Sequence, residues 1–257
     1  MPPELIVSDW NGTLFEYPTD EQQNKKIALG VLEDVATDVL KGKLWQIPEL
    51  IKLGLTRTRI KNRLEQYEKD SLHLRDVYDP FNRVILRGRS VGLVNSALDE
   101  YSLESAHKVD ERMLRPIANT HDKGTQTGIL SLSFYRSIIK ILERSGFGEV
   151  FDDVHCNHLR KNDGRVVGLT YNGSGGLYGR KPEVIREMYI EEGVRPKEII
   201  YMGNSFEDDA PVAEILPPGN FIVPFYATDE FKQEMAKRYK AKVPESKREL
   251  DLILGNR

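Results

Sequence analysis

A short apolar run near the amino terminus, ending in an aspartate and a glycine turn, is the feature that most constrains the fold. Residues 5–7 (LIV) are followed by Ser8 and then by residues 9–14 (DWNGTL). An apolar run of this length bounded by turn residues is typical of a buried strand. Open α/β sheets bind ligands at the carboxyl ends of their strands. The sequence therefore predicts a sheet with the carboxylate of Asp9 at its ligand-binding edge.

The second half of the chain alternates between strand and helix patterns. Strands are predicted over residues 126–131, 154–159, 164–171, 198–202 and 220–224, and helices over 134–144, 182–192 and 208–215, followed by a polar C-terminal helix. Such alternation is typical of a parallel sheet with helices on both faces. The predicted fold class is α/β, with a doubly wound, Rossmann-like parallel sheet.

Three local signals predict where helices and turns begin. Pro116 predicts the start of a short helix that ends at Lys123-Gly124. Ser133 predicts the amino-terminal cap of the helix over 134–144. The dipeptide Asn172-Gly173 predicts the turn that closes a hairpin containing the strand over 164–171.

Between the first strand and residue 112 the apolar residues recur at helical spacing, with charged residues on the opposite faces. This pattern predicts a packed helical subdomain without a binding site inside its apolar stripes. The expected division is an α/β core of residues 1–15 and 113–257 and a helical cap of residues 16–112. We call residues 16–112 the helical insert, and we expect it to act as a lid over the active edge.

Composition narrows the class of protein. The 257 residues carry 37 Lys and Arg against 40 Asp and Glu, a formal net charge of −3. This charge offers no electrostatic case for binding nucleic acid or an anionic membrane. The single cysteine, Cys156, suits a reducing compartment. The N-terminus does not resemble a signal peptide. No apolar run reaches the roughly 18 residues that a membrane span needs. We expect a soluble, cytoplasmic protein whose oligomeric state the sequence does not disclose.

Three further segments place polar groups at predicted strand ends or helix starts. Ser131 follows the apolar run 128–130, Lys181 opens the helix over 182–192, and the acidic segment 203–209 follows the strand over 198–202. Together with Asp9, the order along the chain is carboxylate, hydroxyl, lysine and acidic loop. This order resembles the four motifs of the haloacid dehalogenase (HAD) superfamily, whose first motif reads D-x-D-G-T-[LV]. The resemblance implies a hydrolase with a helical cap between its first two motifs.

Within that superfamily the chain is most similar to the phosphoserine phosphatase-like group. Residues 131–134 (SLSF) match that group's S-G-G-F motif at the first and last positions, and residues 157–168 resemble its N-x-L…D-G-x-x-x-G stretch. Leu132 and Ser133 stand where the motif has glycines. The resemblance implies hydrolysis of a small phosphorylated metabolite.

The resemblance also implies a nucleophile and a set of metal ligands. Asp9 is the implied nucleophile, which would form an aspartyl phosphate, and it is also a ligand of Mg²⁺. The backbone carbonyl oxygen of Asn11 is a second implied ligand. The last motif would supply Asp208, with Asp209 as the alternative, and Asn204 at the position where the family has a metal-binding aspartate.

The remaining implied roles concern the phosphoryl group. The resemblance implies that three residues contact the oxygens of the phosphoryl group: Thr13, Ser131 and Leu132. Lys181 is the implied cation that offsets the charge of Asp9 and of the transferring group. Positive charge is needed there because an anionic carboxylate must approach an anionic phosphorus.

Two positions that are carboxylates in most phosphatases of the family are amides here, Asn11 and Asn204. A neutral amide still offers an oxygen to Mg²⁺ but no charge. It also cannot act as a general acid, a role typically worth about 10²–10⁴ in rate.

Three functions fit these substitutions. The first is a Mg²⁺-assisted phosphohydrolase that works best on leaving groups needing little protonation. The second is a metal-independent, dehalogenase-like hydrolase. The third is a catalytically silent relative that binds phosphate or a protein partner. The retained Asp9, Lys181 and Asp208 favour the first.

The pair His155 and His158 raises the alternative of a metal site outside these motifs. The two residues are three apart in a predicted strand, so their side chains point to opposite faces. A closed zinc site needs four ligands, and Cys156 is the only thiol in the chain. Ordinary strand residues are the favoured interpretation.

Overall fold

Six strands form a single sheet at the centre of the molecule. The computed structural model describes residues 3–15, 19–55, 81–172 and 176–255. The strands are β1 Leu5–Ser8, β2 Gln126–Phe134, β3 Asp153–Asn162, β4 Arg165–Thr170, β5 Ile199–Met202 and β6 Phe221–Ile222. Their order across the sheet is β4-β3-β2-β1-β5-β6. All neighbouring strands are parallel except β3 and β4, which confirms the predicted α/β sheet.

Helices cover both faces of the sheet. Alternate side chains of the strand β1 therefore pack into two different apolar clusters, one on each face. Leu5 and Val7 pack into one cluster of buried side chains, whereas Ile6 packs into a second. The helices are α1 Thr19–Leu40, α2 (residues 47–55), α3 Val91–Ser105, α4 Glu111–His121, α5 Tyr135–Ser145, α6 Lys181–Ile185, α7 Ala210–Ala213, α8 Asp229–Tyr239 and α9 Lys247–Ile253. None of these helices has the length and apolar character needed to cross a membrane, within the part of the chain that the structure describes.

The described part of the helical insert has an apolar core of its own. Side chains of α1, α2, α3 and the π-helical turn Phe81–Leu86 form a third cluster, which also takes in Phe134 of β2 and Val166 of β4. The boundaries of the insert at residues 16 and 112 stay a prediction, as does its role as a lid. Residues 56–80, part of the predicted helical stripes, lie outside the described residues.

The hairpin of β3 and β4 extends beyond the end of β2 and bonds to the insert. The amide of Gly88 donates to the carbonyl of Val166 (2.7 Å), the amide of Val166 donates to the carbonyl of Arg89 (2.8 Å), and the amide of Val91 donates to the carbonyl of Gly164 (2.9 Å). We call these backbone bonds between residues 88–91 and 164–166 the clasp. The clasp ties this part of the insert to the hairpin of β3 and β4.

The hairpin turn lies at a different dipeptide from the predicted one. Asp163 and Gly164 connect β3 to β4 with φ values of 47° and 72°, as a two-residue hairpin turn requires. The strand β4 pairs antiparallel with the preceding strand β3, so its hairpin closes at Asp163-Gly164 and not at the predicted Asn172-Gly173. Gly173 lies outside the described residues.

Two predicted helix starts were also wrong. The helix expected to begin at Pro116 begins at Glu111, because the side chain of Asp110 accepts a hydrogen bond from the amide of Arg112 and caps it there. Ser133 does not cap α5, since β2 continues to Phe134.

Candidate active site

The ammonium group of Lys181 lies at the centre of a buried cluster of three carboxylates. Its Nζ atom is 2.9 Å from Oδ1 of Asp9, 2.5 Å from Oδ2 of Asp208 and 2.6 Å from Oδ1 of Asp209. Lys181 is fully buried, as is Asp209, and the side chains of Asp9 and Asp208 are at most 10% exposed. The cluster combines the predicted first, third and fourth motifs at the carboxyl edge of the sheet.

The fold explains why these side chains meet. Asp9 directly follows β1, and its amide donates to the carbonyl of Met202 at the end of β5 (2.8 Å). β1 and β5 are adjacent and parallel, so both strands end at the same edge. Lys181 is the first residue of α6, and its side chain reaches across this edge.

Asp209 holds the loop that follows β5. Its Oδ2 atom accepts hydrogen bonds from the amides of Asn204 (2.9 Å) and Ser205 (3.1 Å). Its Oδ1 atom accepts from Lys181 and from the hydroxyl of Tyr201, both at 2.6 Å. The four acceptor positions of this carboxylate are therefore occupied. Asp208 is accordingly the better candidate for a metal ligand.

The loop after β1 packs directly against the loop after β5. Gly12 has φ of 69°, and a Cβ atom at this position would lie 2.4 Å from Nδ2 of Asn204. The hydroxyl of Thr13 donates to Oδ1 of Asn204 (3.1 Å). Glycine suits position 12 for its backbone conformation, and any side chain there would displace the side chain of Asn204.

Asn11 contacts the predicted second motif. Its Nδ2 atom donates to Oγ of Ser133 at 2.6 Å, and the amide of Ser133 donates to Oγ of the buried Ser131 at 3.3 Å. The carbonyl of Leu132 accepts from Nδ2 of Asn157 at 2.5 Å. Ser133, near the end of β2, thus connects the side chain of Asn11 to the hydroxyl of Ser131. Leu132 lies between these two serines.

Burial and mutual repulsion govern the ionisation of the cluster. Burial raises the pKa of Asp9 well above its ordinary value; Lys181 opposes this shift, and Asp209 and Asp208 add to it. Burial by itself would lower the pKa of Lys181, but Asp208, Asp209 and Asp9 outweigh that effect and raise it well above the ordinary value. Lys181 therefore stays cationic, and the cluster has more carboxylate groups than positive charge.

The cluster fits a divalent cation. Ligand atoms of Asp9, Asp208 and Asp209 lie within 4.8 Å of one another, and one lysine offsets only one of the three possible negative charges. Carboxylate oxygens are the ligands that Mg²⁺ prefers. Asp9 and Asp208 are the carboxylates best placed for it, because Asp209 is occupied by its four donors. Within the described ranges, no other group of three His, Cys, Asp or Glu residues has this spacing.

The sequence did not predict the roles of three residues at this site. Tyr201 bonds to Asp209, Ser133 bonds to Asn11, and Asn157 joins the Leu132 carbonyl to the amide of Leu177 (2.8 Å). The available signals were a phenol within an aliphatic strand and polar residues within two other strands. None of these signals names a partner, because the partners are distant in sequence.

Known structures show the same fold as this chain, although no family model and no curated protein matches its sequence. A substrate-bound phosphoserine phosphatase has 14% sequence identity and a TM-score of 0.61, covering 96% of this chain and 95% of that chain. A phosphoserine phosphatase described as a phospho-aspartyl intermediate analogue has 15% identity and a TM-score of 0.59, covering 95% of this chain and 93% of that chain. A HAD family hydrolase from Salmonella enterica serovar Typhi has 16% identity and a TM-score of 0.63, covering 99% and 72%. At these identities the likeness concerns the fold, which is the one that the motifs predicted.

Proposed function

We propose that this chain, which has the fold of the phosphoserine phosphatases, is a Mg²⁺-assisted phosphohydrolase that cleaves a small phosphate monoester. The observation that carries the proposal is the contact between Lys181 and Asp9 in a buried acidic cluster at the ligand-binding edge of the sheet. A nucleophilic carboxylate that must approach an anionic phosphate needs a cation beside it. The fold likeness to phosphoserine phosphatases supports the same reaction class.

Asp9 is the nucleophile of the proposed reaction. One of its carboxylate oxygens forms a bond to phosphorus while the bond from phosphorus to the leaving oxygen breaks, which yields an aspartyl phosphate. Water then attacks that phosphorus, Asp9 is released, and inorganic phosphate leaves. Lys181 stays protonated throughout and stabilises the charge on the attacking carboxylate and on the transferring group.

The phosphoryl group would lie between the first two motifs. Thr13, Ser131 and Leu132 are the proposed contacts for its oxygens. Because the amide of Asn11 has no acidic proton, the leaving oxygen takes its proton from water. The enzyme should therefore favour leaving groups that are stable as anions, such as aryl or acyl groups.

Asp9, Asp208, the carbonyl of Asn11 and the side chain of Asn204 are the proposed ligands of Mg²⁺. The ion supplies the positive charge that the cluster lacks, which lowers the repulsion between carboxylate and phosphate. The side chain of Asn204 brings no charge, so we expect weaker metal binding than a site with an aspartate at that position would have.

The proposed setting is the cytoplasm, with the helical insert of residues 16–112 closing over the bound substrate. The single, buried Cys156 suits a reducing compartment. The clasp between residues 88–91 and 164–166 keeps the insert next to the carboxyl end of the sheet, where a lid must be.

Hydrolysis of p-nitrophenyl phosphate tests the proposal. We expect Mg²⁺-dependent turnover by the wild type, and a loss of at least about a thousandfold in Asp9→Ala, because the nucleophile is gone. Asp153→Asn, a substitution at the opposite end of the sheet, is the matched control and should retain full activity. Turnover that survives in Asp9→Ala would overturn the proposed mechanism.

The same assay separates the two other candidates. Equal turnover with and without Mg²⁺, lost in Asp9→Ala, would favour the dehalogenase-like hydrolase, and halogenated acids would be the next substrates. An absence of turnover on aryl, acyl and alkyl phosphates would favour a silent relative, whose binding of inorganic phosphate can be measured by calorimetry.

A further inference from the structure

Tyr201 is the one side chain of β5 that can donate a hydrogen bond, and it is fully buried. The strand reads Ile-Ile-Tyr-Met and lies between β1 and β6. Its hydroxyl donates to Oδ1 of Asp209 at 2.6 Å. Burial raises the pKa of this phenol well above its ordinary value, so it is a neutral donor at any physiological pH.

The phenol shares its acceptor with the lysine of the active site. Oδ1 of Asp209 accepts from both Tyr201 and Lys181 at 2.6 Å. The other oxygen of Asp209 is bound to the loop amides of Asn204 and Ser205, so the carboxylate cannot rotate without breaking those bonds. Two donors on one oxygen divide its hydrogen-bonding capacity between them.

We propose that Tyr201 is a positioning residue that keeps Lys181 within reach of Asp9. This inference rests on the proposed function, since it assigns a purpose to the contact of 2.9 Å between Lys181 and the nucleophile. By donating to Oδ1 of Asp209, the phenol holds in place the oxygen atom to which the ammonium is bound. Together with the two loop amides on Oδ2, it resists movement of this carboxylate away from its present position.

Removal of the hydroxyl alone tests this arrangement. In Tyr201→Phe, Oδ1 of Asp209 loses one of its two donors, so we expect this oxygen, with the ammonium bound to it, to shift away from Asp9. Tyr189→Phe is the matched control. Tyr189 is 3% exposed and belongs to the same apolar cluster as Tyr201, but its hydroxyl has no hydrogen-bond partner among the described residues.

Single-turnover kinetics distinguish positioning from a general loss of structure. The rate constant for formation of the aspartyl phosphate does not depend on how much of the sample is folded, whereas the amplitude does. We expect Tyr201→Phe to lower this rate constant about tenfold or more, as small misplacements of catalytic groups do, and Tyr189→Phe to leave it unchanged. A lowered amplitude with an unchanged rate constant would overturn the proposal.

Crystal structures of both variants make the test independent of activity. In Tyr201→Phe the distance between Lys181 and Asp9 should exceed about 3.5 Å, beyond hydrogen-bonding range, while in Tyr189→Phe it should match the wild type. An unchanged distance in Tyr201→Phe refutes positioning by Tyr201 whether or not the protein is an enzyme. If the distance changes but the wild type never forms an aspartyl phosphate, positioning holds and the proposed hydrolysis fails.

Discussion

Asn11 has a defined hydrogen-bond partner, which determines what an aspartate at the same position would meet. Its amide nitrogen donates to Oγ of Ser133 at 2.6 Å. A hydroxyl can also donate, so a carboxylate oxygen in place of the amide nitrogen would accept a hydrogen bond from Ser133. The site can therefore take Asn11→Asp without a buried oxygen losing its partner.

We expect Asn11→Asp to raise turnover according to the leaving group. Alkyl phosphates, whose leaving oxygen needs a proton, should gain up to about 10²–10⁴ in kcat from a general acid, and p-nitrophenyl phosphate should gain less than tenfold. The check is kcat for a series of phosphate monoesters with graded leaving-group pKa. An equal gain across the series would contradict the account of a missing proton donor.

The loop after β1 is an element in which one glycine is needed for two reasons. Gly12→Ala would place a Cβ atom 2.4 Å from Asn204 at a backbone φ of 69°. We expect a loss of about 1–3 kcal/mol in the free energy of unfolding and a large loss of activity, because the loop carries Asp9. Urea denaturation and the phosphatase assay measure the two effects.

Gly124→Ala provides the control for that substitution. Gly124 has φ of 92°, but a Cβ there would have no atom within 4 Å. The free energy of unfolding of Gly124→Ala should fall by about 1 kcal/mol, the cost of the backbone conformation alone. This variant should keep its phosphatase activity. Similar losses of stability in both variants would argue against a tight contact between the two loops.

β4 is the element that joins the hairpin to the helical insert. Val166 is fully buried in the cluster formed by the insert, whereas the neighbouring Val167 is half-buried. Val166→Ala should lower the free energy of unfolding by about 1–3 kcal/mol through the cavity it leaves, and Val167→Ala by less than about 1 kcal/mol. Urea denaturation measures both, and hydrogen exchange at residues 88–91 should accelerate only in Val166→Ala.

At the scale of elements, the sequence predicts what depends on local pattern and misses what depends on pairing. The buried strands and the polar groups at their ends follow from short apolar runs and the residues after them. The hairpin turn does not, because Asp163-Gly164 and Asn172-Gly173 are equal turn signals, and the pairing of β3 with β4 decides between them. Likewise, the contact between Asn11 and Ser133 joins residues 122 positions apart, which no local pattern reveals.

Across the whole molecule, the insert and the core are also linked by an ion-pair network. Asp99 of α3 pairs with Arg136 (2.6 Å) and Lys140 (2.8 Å) of α5. Its hydrogen bond to Arg136, aided by Lys140, lowers the pKa of Asp99 from 3.8 to about 2. Because the folded-state pKa is lowered, this stabilisation is present above about pH 4 and is lost as the pH falls toward 2.

Asp99→Asn should therefore destabilise the protein only where the carboxylate is charged. We expect a loss of about 1 kcal/mol at pH 7, reduced by the solvent exposure of the network, and a difference from the wild type that shrinks as the pH falls through about 2. Urea denaturation at a series of pH values measures this dependence. The idea fails if Asp99→Asn is as stable as the wild type at pH 7.

The clasp between residues 88–91 and 164–166 has a consequence for protein engineering. If relatives are recombined to exchange specificity, a graft of residues 16–112 alone would leave three backbone hydrogen bonds of the hairpin without their native partners. The transferable unit comprises the insert together with the hairpin over 153–170. A chimera that carries both segments should be better folded than one that carries the insert alone.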